Sequence, residues 1–342
     1  MREKNALSVK FSVGYQVLED EFFSEIVSDF KQMVAEVYFA WPGQPSGRAP
    51  LKEKFQKQIL WELNQLKRLG VSLNLLLNAS CYGNRALSFS FSQEVVSLVG
   101  YLQDKIGLET VTTMSPLVAK TIKKHFPELK RRASVNMRLG TIASLKYVAD
   151  FFEGYCLQRE YNRDRKRLME IQEWAEKEGK ELQILANSGC LNFCSFQTFH
   201  DNAVAHEKQM KGMEPFPDLP TLCRYFYREK SHRLEFLQNS SWIRPEDVPV
   251  HHAFFQGTYK LATRMHQHPR LVLAAYTQGY YEGNLLDLLE PGFSQEWWPV
   301  IVDNRRFPQE WFRQVLKCEK NCSCCHYCQK AAEKVLINLE DV

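Results

Sequence analysis

Nowhere in its 342 residues does the chain contain a run of the roughly 18 consecutive apolar residues that a membrane-spanning helix needs. The opening Met1-Arg2-Glu3-Lys4-Asn5 leads into no apolar stretch of signal-peptide length, so the expected location is the cytoplasm, without membrane insertion. The GxGxxG, Walker, HExxH and serine-nucleophile signatures are all missing, which removes a Rossmann dinucleotide fold, nucleotide hydrolysis and the common protease chemistries. Charge of one sign is not in excess. The 44 basic and 40 acidic residues leave +4, too even to announce nucleic-acid binding by charge alone. Gly 16 and Pro 14 are too few for a collagenous or disordered chain, and a hydrophobic content of 44% is ample for a buried core near the upper size of a single domain.

Cysteine is the residue present in quantity. Ten are found, and a reducing compartment argues against disulfides. Cys81 and Cys156 stand alone. Cys190 and Cys194 form a pair with Cys223 downstream, and Cys318, Cys322, Cys324, Cys325 and Cys328 crowd into eleven residues. Cytosolic cysteines grouped in this way read as metal or iron–sulfur ligands.

Short β-like runs alternate with helical spacing. The runs are Ala6 to Tyr15, Ala35 to Trp41, Ser72 to Ala79, Thr110 to Met114, Arg132 to Arg138, Gly154 to Arg159 and Glu181 to Asn187, with a weaker eighth at Ser241 to Arg244. Helical spacing covers Phe22 to Met33, Leu51 to Leu69, Ser92 to Ile106, Pro116 to His125 and Asp164 to Lys177, and again Pro249 to His266 and Pro269 to Gln278. Strands alternating with helices predict a parallel sheet, and eight such units in about 250 residues predict an α/β fold of the closed (β/α)8 TIM-like barrel type. The barrel is expected over 1–248, with a helical, cysteine-rich C-terminal extension over 249–342. The clusters Lys123-Lys124-His125, Lys130-Arg131-Arg132 and Arg163 to Arg167 read as solvated helix faces.

In such a barrel the strand ends share one face, where an active site would lie. Asn78, Cys81, Asn136, Arg138, Arg159 and the segment Asn187 to Cys190 fall at strand ends. Cys190, Cys194 and Cys223 are candidate metal ligands there, with Cys81 the geometric choice for a fourth. A three-cysteine cluster with an open iron, or zinc with His200 or His206, is the alternative. His200, Arg138, Arg159 and Asn136 are the candidate catalytic residues: His200 as proton donor or open-site ligand, the arginines as fixed positive charge. Arg244, Lys260 and Arg264, with Asn78, are candidate groups for binding an anionic substrate. Cys318, Cys322, Cys325 and Cys328 form a second candidate site, for a [4Fe–4S] cluster or zinc. Trp297, Trp298 and Trp311 read as packing anchors of the extension.

Several segments together resemble the collagenase-like U-32 peptidase family. They are Leu75 to Asn78, SVNMR at Ser134 to Arg138, LQREYNRD at Leu157 to Asp164, NSGCLNFCSFQTFHDN at Asn187 to Asn202, IRPED at Ile243 to Asp247, YKLATR at Tyr259 to Arg264 and AYTQGYYEGNLLDLL at Ala275 to Leu289. The family name implies proteolysis. Relatives in the family that hold a [4Fe–4S] cluster on four cysteines imply a role in oxygen-independent hydroxylation of tRNA, ribosomal RNA or the ubiquinone ring. By that resemblance the substrate is an anionic or aromatic small molecule or an RNA, and a redox partner protein exchanges electrons with the cluster. A non-catalytic electron-transfer or scaffold role is the remaining alternative. The terminal cysteine cluster is extra to that family's ligand set.

Overall fold

The computed structural model describes residues 9–48, 51–206 and 222–341. Eight strands close into a barrel: β1 (Phe11–Gly14), β2 (Val34–Phe39), β3 (Ser72–Leu77), β4 (Thr110–Thr113), β5 (Lys130–Ala133), β6 (Gly154–Cys156), β7 (Glu181–Leu185) and β8 (Thr258–Leu261). Each pairs in parallel with the next, and β8 returns to β1 with Tyr259 opposite Phe11. The expected (β/α)8 barrel is therefore present. Residues 6–8 of the first expected run lie outside the described residues.

The helices between strands start and stop where local chemistry says they should. Ser88 caps α3 (Phe89–Ile106) by accepting from Phe91 N, and Ser115 caps α4 (Pro116–His125) by accepting from Val118 N. Asp164 does the same for α6 (Arg165–Lys177). Gly107, at φ 60°, ends α3 in the left-handed conformation that a side chain disfavours. The apolar stripes of α1 (Phe23–Phe30) and α2 (Gln56–Arg68) are buried through Phe23, Ile26, Ile59 and Leu63.

The barrel interior is polar, which the strand sequences do not advertise. Glu36 accepts from Ser12 Oγ at 2.6 Å and Asn74 Nδ2 at 3.0 Å, and is ion-paired with Arg132; Thr112 Oγ1 donates to Asn74 at 2.9 Å. Burial opposes ionisation of Glu36, but the Arg132 guanidinium and these donors hold its carboxyl down at about 2. Lys130-Arg131-Arg132 is accordingly not a solvated helix face. It is β5, with Arg132 inside the barrel and Arg131 buried against Glu153. Lys123, Lys124 and His125 are exposed in the last turn of α4, as expected. In the third cluster Arg163 is buried, donating to Trp242 O and Leu237 O.

The eighth strand is the main correction. Ser241 to Arg244 forms no strand. It is an extended segment that bonds to the barrel backbone through Ile243 N, which donates to Ala186 O. The strand that closes the barrel is Thr258–Leu261, inside the segment expected to be helical from Pro249 to His266. The four-residue TYKL run is too short to show a period of its own, and only pairing with β1 and β7 selects the extended state. Barrel elements thus continue beyond residue 248, and the helix Pro269–Gln278 packs on α1.

The long β7–β8 connection and the helical C-terminal extension share one aromatic core. Tyr227 and Phe236 meet Trp297 at 5.4 and 5.3 Å, and Trp242 stacks on Trp311 at 6.4 Å. Trp297 and Trp311 are the buried anchors expected, whereas Trp298 is 69% exposed. A two-stranded antiparallel sheet, β9 (Val300–Val302) with β10 (Leu336–Asn338), ties the end of the chain to the extension.

Candidate functional site at the barrel mouth

The C-terminal ends of the strands build two adjoining cavities. The smaller, about 70 Å³, is lined by Asn78, Asn136, Arg159, Lys260, Arg264 and Arg48, with Glu290 as its one carboxylate. The larger, about 640 Å³, shares Arg48, Arg159 and Glu290 and adds Cys190, Cys194, Cys223 and His200. Most expected rim residues therefore meet at one mouth.

Each is positioned by a local device. After β5, Ser134 Oγ caps the turn Val135–Met137 by accepting from Asn136 N, and Arg138 follows at φ 54°. Asn78 accepts from Gly47 N at 3.0 Å, so the loop after β2 lies across the mouth. A Cβ on Gly47 would stand 3.0 Å from Asn136 Nδ2 and 3.1 Å from Asn78 Nδ2, so a larger residue there would have to displace these amides. That loop carries Arg48. After β7, the Cys190–Cys194 loop is pinned by Asn192 N donating to Asn239 O at 2.6 Å and Phe193 N donating to Glu160 Oε1 at 3.3 Å. Phe193 takes φ 51°, a conformation a bulky residue adopts only when its surroundings force it. A strap from the extension closes the other side: Gly189 N donates to Glu290 O, and a Cβ at Gly189 would fall 2.2 Å from Pro291 O.

The electrostatics favour an anion. Burial and the neighbouring Arg48 pull Arg264 down to about 10, and its Nη2 has no hydrogen bond among the described residues. Burial also lowers Lys260. Burial works against the charge on Arg159, but Cys190, Glu160, Asp201 and Cys194 outweigh it and raise its pKa; its Nε too lacks a hydrogen bond among the described residues. Glu290 is raised by burial. His200 is lowered by burial and then by Arg48 and Arg159, so it is neutral at pH 7. Burial raises the Cys194 thiol.

Three expected residues lie elsewhere. Arg244 is held by a bidentate pair with Asp247, both bonds 2.8 Å, and packs over Phe307 at 4.3 Å. Arg138 is half-exposed and donates to Thr198 Oγ1 at 3.0 Å, bracing α7 (Gln197–Ala205) rather than lining either cavity. Cys81 opens on a neighbouring cavity of about 470 Å³, where it is hydrogen-bonded to His206. Sequence reasoning missed Arg48 and Glu290. Arg48 could have been found as a cation shortly after a strand end, but nothing in the sequence marks Glu290, which arrives on the strap.

The donor types at the larger cavity, three thiols and an imidazole, suit a thiophilic group. Among the described residues no three His, Cys, Asp or Glu side chains meet at one ion-sized point.

Fold and site together define a (β/α)8-barrel protein with a cysteine- and arginine-lined mouth. No protein-family model matches the chain. It is 26% identical over 324 residues to the uncharacterized protease MJ1657 of Methanocaldococcus jannaschii, covering 91% of this chain and 92% of that protein. Its fold is similar to that of the U32 peptidase Mk0906, with a TM-score of 0.53 and 12% identity over 74% of this chain and 92% of that one. The resemblance to the U-32 peptidase family is borne out. No helix among the described residues is long and apolar enough to cross a membrane.

Proposed function

We propose that this chain is an iron–sulfur barrel protein that performs an oxygen-independent redox modification, of the hydroxylation type, on an anionic small molecule or RNA bound at the barrel mouth. The observation that carries the reading is that Cys190, Cys194 and Cys223 line the same cavity as Arg48 and Arg159, continuous with Lys260 and Arg264. Cys190, Cys194 and Cys223 would hold a [4Fe–4S] cluster, and His200 lines the same cavity. Bound there, the cluster supplies one-electron transfer. Hydroxylation with water as the oxygen source withdraws two electrons and two protons from the substrate, so a redox partner protein would be the electron acceptor. Arg159 and Arg264 bring buried positive charge with unused donors to an anionic group, and Asn78 and Asn136 offer donors and acceptors beside it. His200, neutral through burial, has a ring nitrogen able to accept a proton, so it suits the base role better than the proton-donor role.

The test is anaerobic purification with iron and sulfide analysis and electron paramagnetic resonance of the reduced protein. Cys194→Ser should lose about four irons and the matching signal, and Cys156→Ser, at a buried thiol in the barrel, should keep both. Equal iron in Cys194→Ser and the parent sinks the reading.

A second reading, as a peptidase, has one specific observation in its favour besides the names of the relatives. The hydrogen bond from His206 and that from Gly83 N lower the Cys81 thiol, as an activated nucleophile requires. Peptide hydrolysis that disappears in Cys81→Ser and survives in Cys194→Ser would select this reading over the first.

A further inference from the structure

The Cys318–Cys328 segment has no part in that reading, and its surroundings are built for a different purpose. Cys318, Cys322 and Cys325 are exposed and Cys328 is half-buried. Lys320 N donates to Cys318 Sγ at 3.2 Å, with Lys320 itself at φ 58°. The left-handed residue turns the chain back between Cys318 and Cys322. The Asn321 carbonyl then accepts from both Cys324 N at 3.4 Å and Cys325 N at 3.1 Å, a second tight turn. Cys328 follows in the first turn of the helix Tyr327–Val335, the end whose free N–H groups favour negative charge.

Two cations sit against these thiols. The buried Arg163 guanidinium, packed 4.2 Å over Trp242 and 5.6 Å over Trp311, has Cys328 as its foremost charged neighbour, followed by Asp247 and Arg244, with Cys318 after them. The Lys320 ammonium reaches Glu160 O at 3.4 Å and lies 4.8 Å over Tyr161 and 5.9 Å over Phe193. Four thiolates around a divalent ion or an oxidised [4Fe–4S] core carry net negative charge, which Arg163, Lys320 and the helix start all offset.

We propose that Cys318, Cys322, Cys325 and Cys328 bind a thiophilic metal as a four-thiolate centre, zinc or a [4Fe–4S] cluster, that fastens the C-terminal segment to the barrel rim beside the Cys190–Cys194 loop. The thiols are neighbours that have not converged on one point, and metal uptake draws them together, so binding free energy orders the segment. Cys324 is outside the ligand set, with its Sγ directed at Asn321 O at 3.6 Å. The link to the rim runs through Lys320, which touches the ring of Phe193 between the two barrel-loop cysteines.

The experiment uses the full chain in a Cys194→Ser background, so that loss of a group at the barrel mouth cannot be mistaken for loss here. Zinc, iron and sulfide are measured after anaerobic purification. The expected result is about one zinc per chain, or about four irons with matching sulfide. That metal should be lost on adding Cys322→Ser or Cys325→Ser and retained on adding Cys324→Ser. Near-UV circular dichroism of the Trp242 and Trp311 core checks that each variant is folded. If a variant is unfolded, cobalt(II) is titrated into metal-stripped Cys194→Ser protein with its terminal cysteines intact, where a thiolate-to-cobalt charge-transfer band should appear. Absence of both bound metal and cobalt band in that protein overturns the proposal, as does metal loss in folded Cys324→Ser equal to that in folded Cys325→Ser.

Discussion

The two cysteine groups reach their positions by different routes. Cys190 and Cys194 share a loop after β7, but Cys223 comes from a separate short helix, and the three meet only because the closed barrel and the strap at Glu290 frame a cavity around them. The terminal four are gathered by two tight turns and one helix start within eleven residues. The first group therefore depends on the integrity of the whole barrel, while the second depends on a short segment and on Arg163 beneath it. A local ligand set can be read as a pattern, but a long-range one needs the topology that assembles it.

Breaking the barrel interior is the strongest way to separate the two. Arg132→Met leaves Glu36 buried and unpaired and should cost about 3–5 kcal/mol of stability by urea unfolding. The mouth should lose its ordered cavity before the terminal segment loses its turns, as read by hydrogen exchange at Asn192 and Cys325. Uniform loss of protection at both would erase the contrast.

Acid sharpens the same point through the same pair. In the fold the Glu36 carboxyl is held at about 2, below its ordinary 4.5. Below 4.5 the unfolded chain therefore binds the proton first. The stability this pair contributes is complete above about pH 4.5 and disappears as the pH falls towards 2, at most about 3 kcal/mol. Urea midpoints measured across that window should fall in the parent, and the slope should be lost in Arg132→Met.

Gly189→Ala tests the strap. The new Cβ would meet the Pro291 carbonyl, a backbone atom that cannot swing aside, and should cost about 1–3 kcal/mol. Anion binding at the mouth, read as the rise in Tm with added inorganic phosphate, should weaken with it, while metal at the terminal cysteines should not change. Lys320→Ala should have the smallest effect. Removing its contacts with Tyr161 and Glu160 should cost ~0.5–1 kcal/mol, with increased proteolysis confined to the segment after Leu316; an unchanged digestion pattern would show that Lys320 does not fasten it.

What the sequence by itself determined is local. The α4 limits follow from Ser115 and Pro116, the α6 start from Asp164, and the terminal cysteine group from its density, because capping, proline geometry and short-range spacing act within a few residues. The alternation of strands and helices was enough to predict the barrel. Only the tertiary structure decided that Arg132 points inward to Glu36, that TYKL rather than SWIR closes the barrel, that Arg244 is taken by Asp247, and that Arg48 and Glu290 join the mouth. The reason is common to all four. A charged side chain or a four-residue strand has no preference strong enough to choose its own place, and the choice falls to its partner: Asp247, three residues on, takes Arg244, and the other three turn on partners tens to hundreds of residues away, brought near only when the barrel closes.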